Sequence, residues 1–459
     1  MKQIDFENGS ITGNIFQSAL PMLIAQVLNL MYSIVDRIYI GRIPGAGTEA
    51  LGGIGLCFPI IIMVTAFTNL YGMGGAPLCA IERGKGNLTE ARRIMNCAFT
   101  LLAGTSVLLM VSGLLFGRSL LYLFGATDSS ILYALPYLRI YLLGTPFVMI
   151  SAGMNPYINA QGFSQTGMLT TAIGAVSNLI LDPVFIFGLG MGIRGAAIAT
   201  VLAQLLSALF VLRFLLGRKS GAELKLRKDL IGIDWKLAGQ IMSLGAVSFI
   251  MQFTNSLVSI VANGMLMRFG GELYVSVMTI VNSVRSVLDT PALAIAEGTA
   301  PILSYNYGAG RPKRIAQGIT IMTGICFIYT LVTWILIERV PQLFIGIFTD
   351  DASLITAARP ALHLYFFAFI FQTFQHVGQS TFKALNKKKR AIFFSLFRKA
   401  IMVVPLTLLL PRLFGLGTAG VFIAEPISNV VGGLACYSVM LLTIGRELKE
   451  MQRQKGGTC

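Results

Sequence analysis

The sequence predicts an all-α integral membrane protein with twelve transmembrane helices arranged as two parallel six-helix repeats. Three observations carry this prediction. Of 459 residues, 55% are apolar and only 12% are charged, about half the charged share of a soluble domain. Twelve apolar runs are each long enough to cross a bilayer. Short motifs in the first half return in the second at a fixed offset.

A hydrocarbon core about 30 Å thick takes about 20 helical residues to cross. The first run, 15–40, follows a weakly charged head and lacks a small-residue cleavage exit, so it reads as a spanning helix rather than a leader. It is followed by 51–81, 94–117, 131–159, 166–188 and 193–217. After a polar segment at 218–236 come 237–267, 273–306, 315–337, 353–382, 391–411 and 417–445. The longer runs are expected to tilt, kink or protrude. The loops after the second, sixth, eighth and tenth spans, with the C-terminal tail, hold 22 Lys and Arg, from Arg83 to Lys455; the opposite side, loops and adjoining span ends together, holds seven. That asymmetry predicts cytoplasmic termini and an even helix count. It also explains the net charge of +16 without nucleic acid as a partner.

The repeat is legible in spacing. Ala76-Pro77, Gly84 and Gly86 return as Ala300-Pro301, Gly308 and Gly310, an offset of 224. Gly190, Gly192 and Gly195 return as Gly415, Gly417 and Gly420, an offset of 225. Six crossings bring the chain back to its starting side, so the halves run parallel, as in one class of secondary transporter. The expected organisation is an N-terminal bundle at 1–217, a cytoplasmic linker at 218–236, and a C-terminal bundle with its tail at 237–459. Gly190-x-Gly192-x-x-Gly195 has the dinucleotide-binding spacing, but it lies between membrane spans rather than in a βαβ unit. A tight helix-to-helix turn is the better reading.

Composition excludes a soluble enzyme, a disordered chain and a disulfide scaffold. The six cysteines form no CxxC pair and read as small core residues. Neither cofactor nor metal is expected.

Polar residues in the spans fall on stripes at helical spacing: Gln26, Asn29, Ser33 and Asp36 in the first, Asn178 and Asp182 in the fifth, Thr200 and Gln204 in the sixth. Gln252 and Asn255 lie in the seventh; Gln372 and His376 lie in the tenth. Such groups serve as interhelical glue in many membrane proteins, yet stripes on five helices suggest a hydrated cavity in each half. The eight candidates for a substrate cavity are Gln26, Asn29, Ser33, Gln204, Gln252, Asn255, Gln372 and His376. Intramembrane acids cost about 2.5–3.5 kcal/mol each on insertion scales. Asp36, Asp182, Asp289, Glu297 and Glu425 therefore call for roles. Arg285, four residues before Asp289, can pair with it, whereas Arg37 diverges from Asp36. Asp36 and Asp182 together could exchange a proton, or bind Na⁺ with amide and hydroxyl oxygens.

Together these features resemble the MATE (multidrug and toxic compound extrusion) family, in its bacterial MepA-like branch. The resemblance is strongest in Val35-Asp36-Arg37-Ile38-Tyr39-Ile40-Gly41, in Asn178 to Phe185 continuing to Gly195 to Thr200, and in Ala300-Pro301 to Gly310. It implies two helical bundles around a central cleft, and an antiporter that expels cationic amphipathic compounds in exchange for H⁺, with Na⁺ as the alternative. It further implies a coupling site at Asp36, Asn178, Asp182 and Thr200, and bending of the first helix at Pro21. A functional monomer in the bacterial inner membrane is expected. The chain departs from the NorM-like branch, because 239–263 and 362–382 contain no Asp or Glu; Asp289, Glu297 and Glu425 receive no family role.

Two other readings compete. A lipid-linked oligosaccharide flippase of the same superfamily would usually add spans and line its cavity with Arg. A membrane-embedded lipid enzyme would need a His cluster or nucleophile elbow, and only His363 and His376 are present.

Overall fold

The computed structural model describes residues 3–43, 47–217, 221–349, 351–413 and 415–456; Arg218, Lys219 and Cys459 lie outside them. The described residues form helices and connecting turns, with no strand. The first repeat consists of α1 (Ile11–Gly41), α2 (Gly47–Gly84), α3 (Leu88–Leu123), α4 (Ile131–Leu143), α5 (Thr145–Ala160), α6 (Ser164–Pro183) and α7 (Gly192–Leu216). The second begins with α8 (Trp235–Gly308) and continues through α9 (Pro312–Arg339), α10 (Pro341–Ile345), α11 (Ala352–Phe366) and α12 (Gln372–Ala384). It ends with α13 (Lys388–Leu396), α14 (Val404–Leu409) and α15 (Gly417–Gly456).

Every expected span falls within these elements, though several differ in form. α8 has 74 residues, roughly 110 Å at helical rise, far beyond one bilayer. Gly271 interrupts it with φ 69° and ψ −167°, so it supplies the seventh and eighth spans. The fourth span is the pair α4 and α5, bent by 55° where Pro146 lacks the N–H that would continue the ladder. The tenth is α11 and α12, bent by 45° around a short 3₁₀ turn at Phe369–Phe371. α6 runs on into a π-helical turn at Val184–Gly188, just after Pro183 withholds its hydrogen bond. Another π segment, Phe397–Val403, joins α13 to α14.

Large apolar side chains such as Leu108, Leu115 and Leu123 remain exposed. In water they would form an aggregation-prone surface; in a bilayer they face their solvent. Cys57, Cys79, Cys97, Cys326 and Cys436 are buried free thiols.

The chain divides into two compact units. Unit one comprises Met1–Asp5 and Pro21–Ser248, and unit two comprises Phe6–Leu20 and Phe249–Cys459. The expected boundaries at 217 and 237 divide the chain by repeat, whereas these units divide it by packing. α1 and α8 each begin in one unit and continue in the other, and in α1 the change falls at Pro21. In unit one the start of α8 lies against α2: a Cβ on Gly74 would stand 2.2 Å from the Ile241 carbonyl oxygen. In unit two the start of α1 likewise lies against α8, with 2.7 Å from a Cβ on Gly298 to Ala19 Cα. Gly74 and Gly298 are themselves separated by the repeat offset.

The recurring glycines form matching turns. Gly190 and Gly192 have φ of 63° and 55°, and Gly415 and Gly417 have 67° and 51°, a region that side chains resist. Gly195 and Gly420 then let backbones meet; an added Cβ would lie 2.6 Å from Phe185 C and from Pro411 N. The triplet is thus a turn, with no dinucleotide-binding context around it.

Candidate functional site

In unit one, α1 carries Tyr32 and Asp36 on one face, one turn apart. α6 carries Asn178 and Asp182 at the same spacing, and α7 presents Thr200. Asp182, Asn178 and Thr200 are buried. The carboxyl groups of Asp36 and Asp182 lie within interaction reach of each other. A carboxylate offers no donor, so a hydrogen bond between the two would need one shared proton. With its amide nitrogen turned toward Asp182, Asn178 donates to Oδ2 at 2.6 Å and accepts from Thr200 Oγ1 at 3.2 Å. Tyr32 on α1 lies within interaction reach of Thr200. Asp36 Oδ1 is buried with no hydrogen-bond partner among the described residues. Arg37 turns away and places its guanidinium 4.9 Å from the Phe58 ring centroid, as expected for adjacent helical positions.

Beside this cluster is a cavity of about 120 Å³ whose wall includes Asn29, Tyr32, Asn178, Thr200 and Gln204. Gln204 accepts a hydrogen bond from Ser151 at 3.1 Å. Neither Gln26 nor Ser33 is on that wall; Ser33 returns its hydroxyl to the Asn29 carbonyl at 3.0 Å.

Unit two has a larger cavity, about 500 Å³, whose wall includes Asn255, Arg285, Asp289, Lys399 and Glu425. Glu425 is buried at the junction of three cations. Its Oε1 lies 2.7 Å from Lys399 Nζ, 3.1 Å from Arg285 and 3.4 Å from Arg398. Arg285 also reaches Asp289 at 3.3 Å and donates to the Tyr365 hydroxyl at 2.8 Å. Gln372 donates to both Asp289 oxygens at 2.7 Å, and His376 Nε2 lies 3.7 Å from Asp289. Arg398 donates to Asn429. Gln252, Gln372 and His376 are not on the cavity wall itself. Glu297 lies within electrostatic reach of Lys383 and His376.

The anticipated set Asp36, Asn178, Asp182 and Thr200 is therefore one cluster, and the expected Arg285–Asp289 pair is present. Tyr32, Arg398, Lys399, Asn429 and Tyr365 were not anticipated. A signal existed for two of them: Arg398 and Lys399 lie inside an apolar span, where cations are as costly as acids.

A multi-helix membrane protein with polar cavities inside its bundles has the build of a transporter. The MatE family model matches residues 21–184 and 248–409, once in each repeat, and the chain belongs to that family. It is a membrane transporter, not an enzyme. It is 22% identical over 445 residues to the multidrug export protein MepA of Staphylococcus aureus strain N315, covering 94% of this chain and 95% of the relative. It is 24% identical over 432 residues to the FAD transporter of Shewanella oneidensis, covering 91% and 92%. Its fold matches the outward-facing conformation of a multidrug resistance MATE family transporter of the MOP superfamily, with TM-score 0.91 and 22% identity across 98% of this chain and 99% of the other.

Proposed function

We propose that this protein is a secondary active exporter that moves cationic amphipathic compounds out of the cell in exchange for H⁺, with Asp36 and Asp182 as the coupling site. The observation that carries this reading is the convergence of those two carboxyl groups with the Asn178 amide and the Thr200 hydroxyl in one cluster. Loss of a proton from the pair leaves negative charge that attracts an organic cation; regaining it removes the attraction. Pro21 cannot donate the backbone hydrogen bond that would stiffen α1, and it stands where α1 passes between compact units. A bend there can follow protonation. Exchange requires only that ion and drug prefer opposite conformations. Linkage then makes each weaken the binding of the other by the same factor.

The test is efflux of a fluorescent organic cation from proteoliposomes, with pH and Na⁺ gradients imposed separately. Efflux driven by the pH gradient alone supports the reading. Efflux driven only by Na⁺ makes sodium the coupling ion, held by the same carboxyl, amide and hydroxyl oxygens. Efflux driven by neither overturns it.

The excess of basic residues in alternate loops supports an inner-membrane orientation with both termini cytoplasmic. In a background without native cysteines, a cysteine beside Lys388 should resist an impermeant thiol reagent in intact cells. One beside Arg194 should react; the reverse pattern overturns the orientation. A functional monomer completes the reading, and transport activity in vesicles reconstituted at one copy each tests it.

A further inference from the structure

The charges around the unit-two cavity do not balance. Arg285, Arg398 and Lys399 are cations, and Glu425 and Asp289 are the carboxylates within ion-pair distance of them. The other titratable groups facing the cluster do not remove the excess. Tyr365 is a neutral hydroxyl, and His376, already near Asp289, would only add to it if protonated. Farther along α8, Glu297 is matched in charge by Lys383. Counted formally the cluster has one more basic group than acidic groups, and because burying an uncompensated ion costs several kcal/mol, an added acidic partner would stabilise the charged form of Lys399. All three cations crowd a single oxygen of Glu425, as expected where acceptors are scarce.

That surplus faces a space able to hold a ligand. Arg285 and Lys399 are both on the cavity wall, and about 500 Å³ lies within the range of small-molecule sites. Val258, Leu293 and Val421 supply apolar wall, and Asn255, Ser259 and Asn282 supply polar wall. An acidic group seated against Lys399 Nζ and the Arg285 guanidinium would complete the charge balance, and its apolar body would cover the aliphatic side.

We propose that the unit-two cavity binds amphipathic small molecules through an acidic group, a carboxylate, sulfonate or phosphate, held by Lys399 and Arg285. The binding step stands independently of the export reading, and only the extension of the transported class to organic anions and zwitterions rests on it.

The test uses the purified full-length protein and two fluorescent probes of like shape, anthracenecarboxylate and uncharged anthracenemethanol, titrated by fluorescence anisotropy. The wild type should bind the acid about tenfold more tightly than the alcohol, the worth of one charge-assisted hydrogen bond. Lys399→Gln should erase most of that preference. Asp289→Asn removes a carboxylate that competes with the ligand for Arg285, so it should increase the preference several-fold. A folding defect cannot produce that gain. Equal affinity for the two probes in the wild type, retained preference in Lys399→Gln, or an unchanged preference in Asp289→Asn would each overturn the proposal. If the acid preference is absent but pH-driven efflux of the cation persists, this site fails and the export reading stands. If the preference is present but no gradient drives efflux, export fails and the site stands.

Discussion

Where α6 and α7 meet α1, two carboxyl groups come together beside an amide and a hydroxyl. Where α8 meets α15 and the π segment before α14, two carboxylates face three cations. The scaffolds beneath these sites are nearly the same. Both repeats have a bent fourth span, a π-helical stretch in the fifth, and paired left-handed glycines before the sixth. Duplication thus retained the backbone devices, which are tied to sterics. The charged side chains diverged, because a cavity wall tolerates any group that its neighbours can satisfy. The lesson is that one fold holds an acidic site and a mixed-charge site without altering its turns.

The largest expected effect isolates the acidic site. Asp36→Asn and Asp182→Asn should each reach the membrane at wild-type levels and lose gradient-driven efflux, down to the rate of empty proteoliposomes. Amides remain polar but exchange no proton. In the wild type, cation affinity in detergent should weaken on acidification, since protonation removes the attracting charge, and Asp36→Asn should flatten that dependence. Wild-type efflux in either variant would remove that residue from the coupling site.

The mixed-charge site should respond in stability instead. Glu425→Ala leaves three buried cations with Asp289 alone, and breaking a buried pair in this way costs about 3–5 kcal/mol. Equilibrium unfolding in detergent should show the loss, and a change under 1 kcal/mol would mean that solvent already compensates the cluster. The shared scaffold gives a smaller, symmetric effect. Gly195→Ala and Gly420→Ala should each cost about 1–3 kcal/mol, the usual range for overpacking, and unequal losses would show that the repeats are not mechanically equivalent. Smallest is Pro21→Ala. Restoring one hydrogen bond to α1 should slow efflux several-fold, a barrier change of about 1 kcal/mol, with cation affinity unchanged. An affinity loss as large as the rate loss would place Pro21 in binding rather than bending.

Much of this was legible in sequence because membranes impose simple rules. Spans announce themselves by apolar length, the repeat by its glycine spacing, and Asp182 with Asn178 by acid and amide one turn apart in an apolar helix. The bend between α11 and α12 was not, since 361–371 contain neither proline nor glycine. Nor was the convergence of Arg398 and Lys399. Adjacent residues on an α-helix diverge, yet Arg398 and Lys399, both in the π segment, each reach Glu425. Packing partners were equally hidden: Pro21 is visible in the sequence, but nothing there says that residues 6–20 belong with 249–459.

That last arrangement constrains how the chain is made. Arg314 holds the segment before α1 through the Phe6 and Gly9 carbonyls, at 3.1 and 2.7 Å, so these residues wait for a partner synthesised some three hundred residues later. Unit one is likewise incomplete until Ser248 has been synthesised. Nascent domains generally fold in the order of their synthesis, but here neither half can finish alone. Cutting the gene within the linker would yield two fragments, each carrying an arm that belongs to the other. They could mature only by trading those arms, which makes biogenesis of either half depend on production of both.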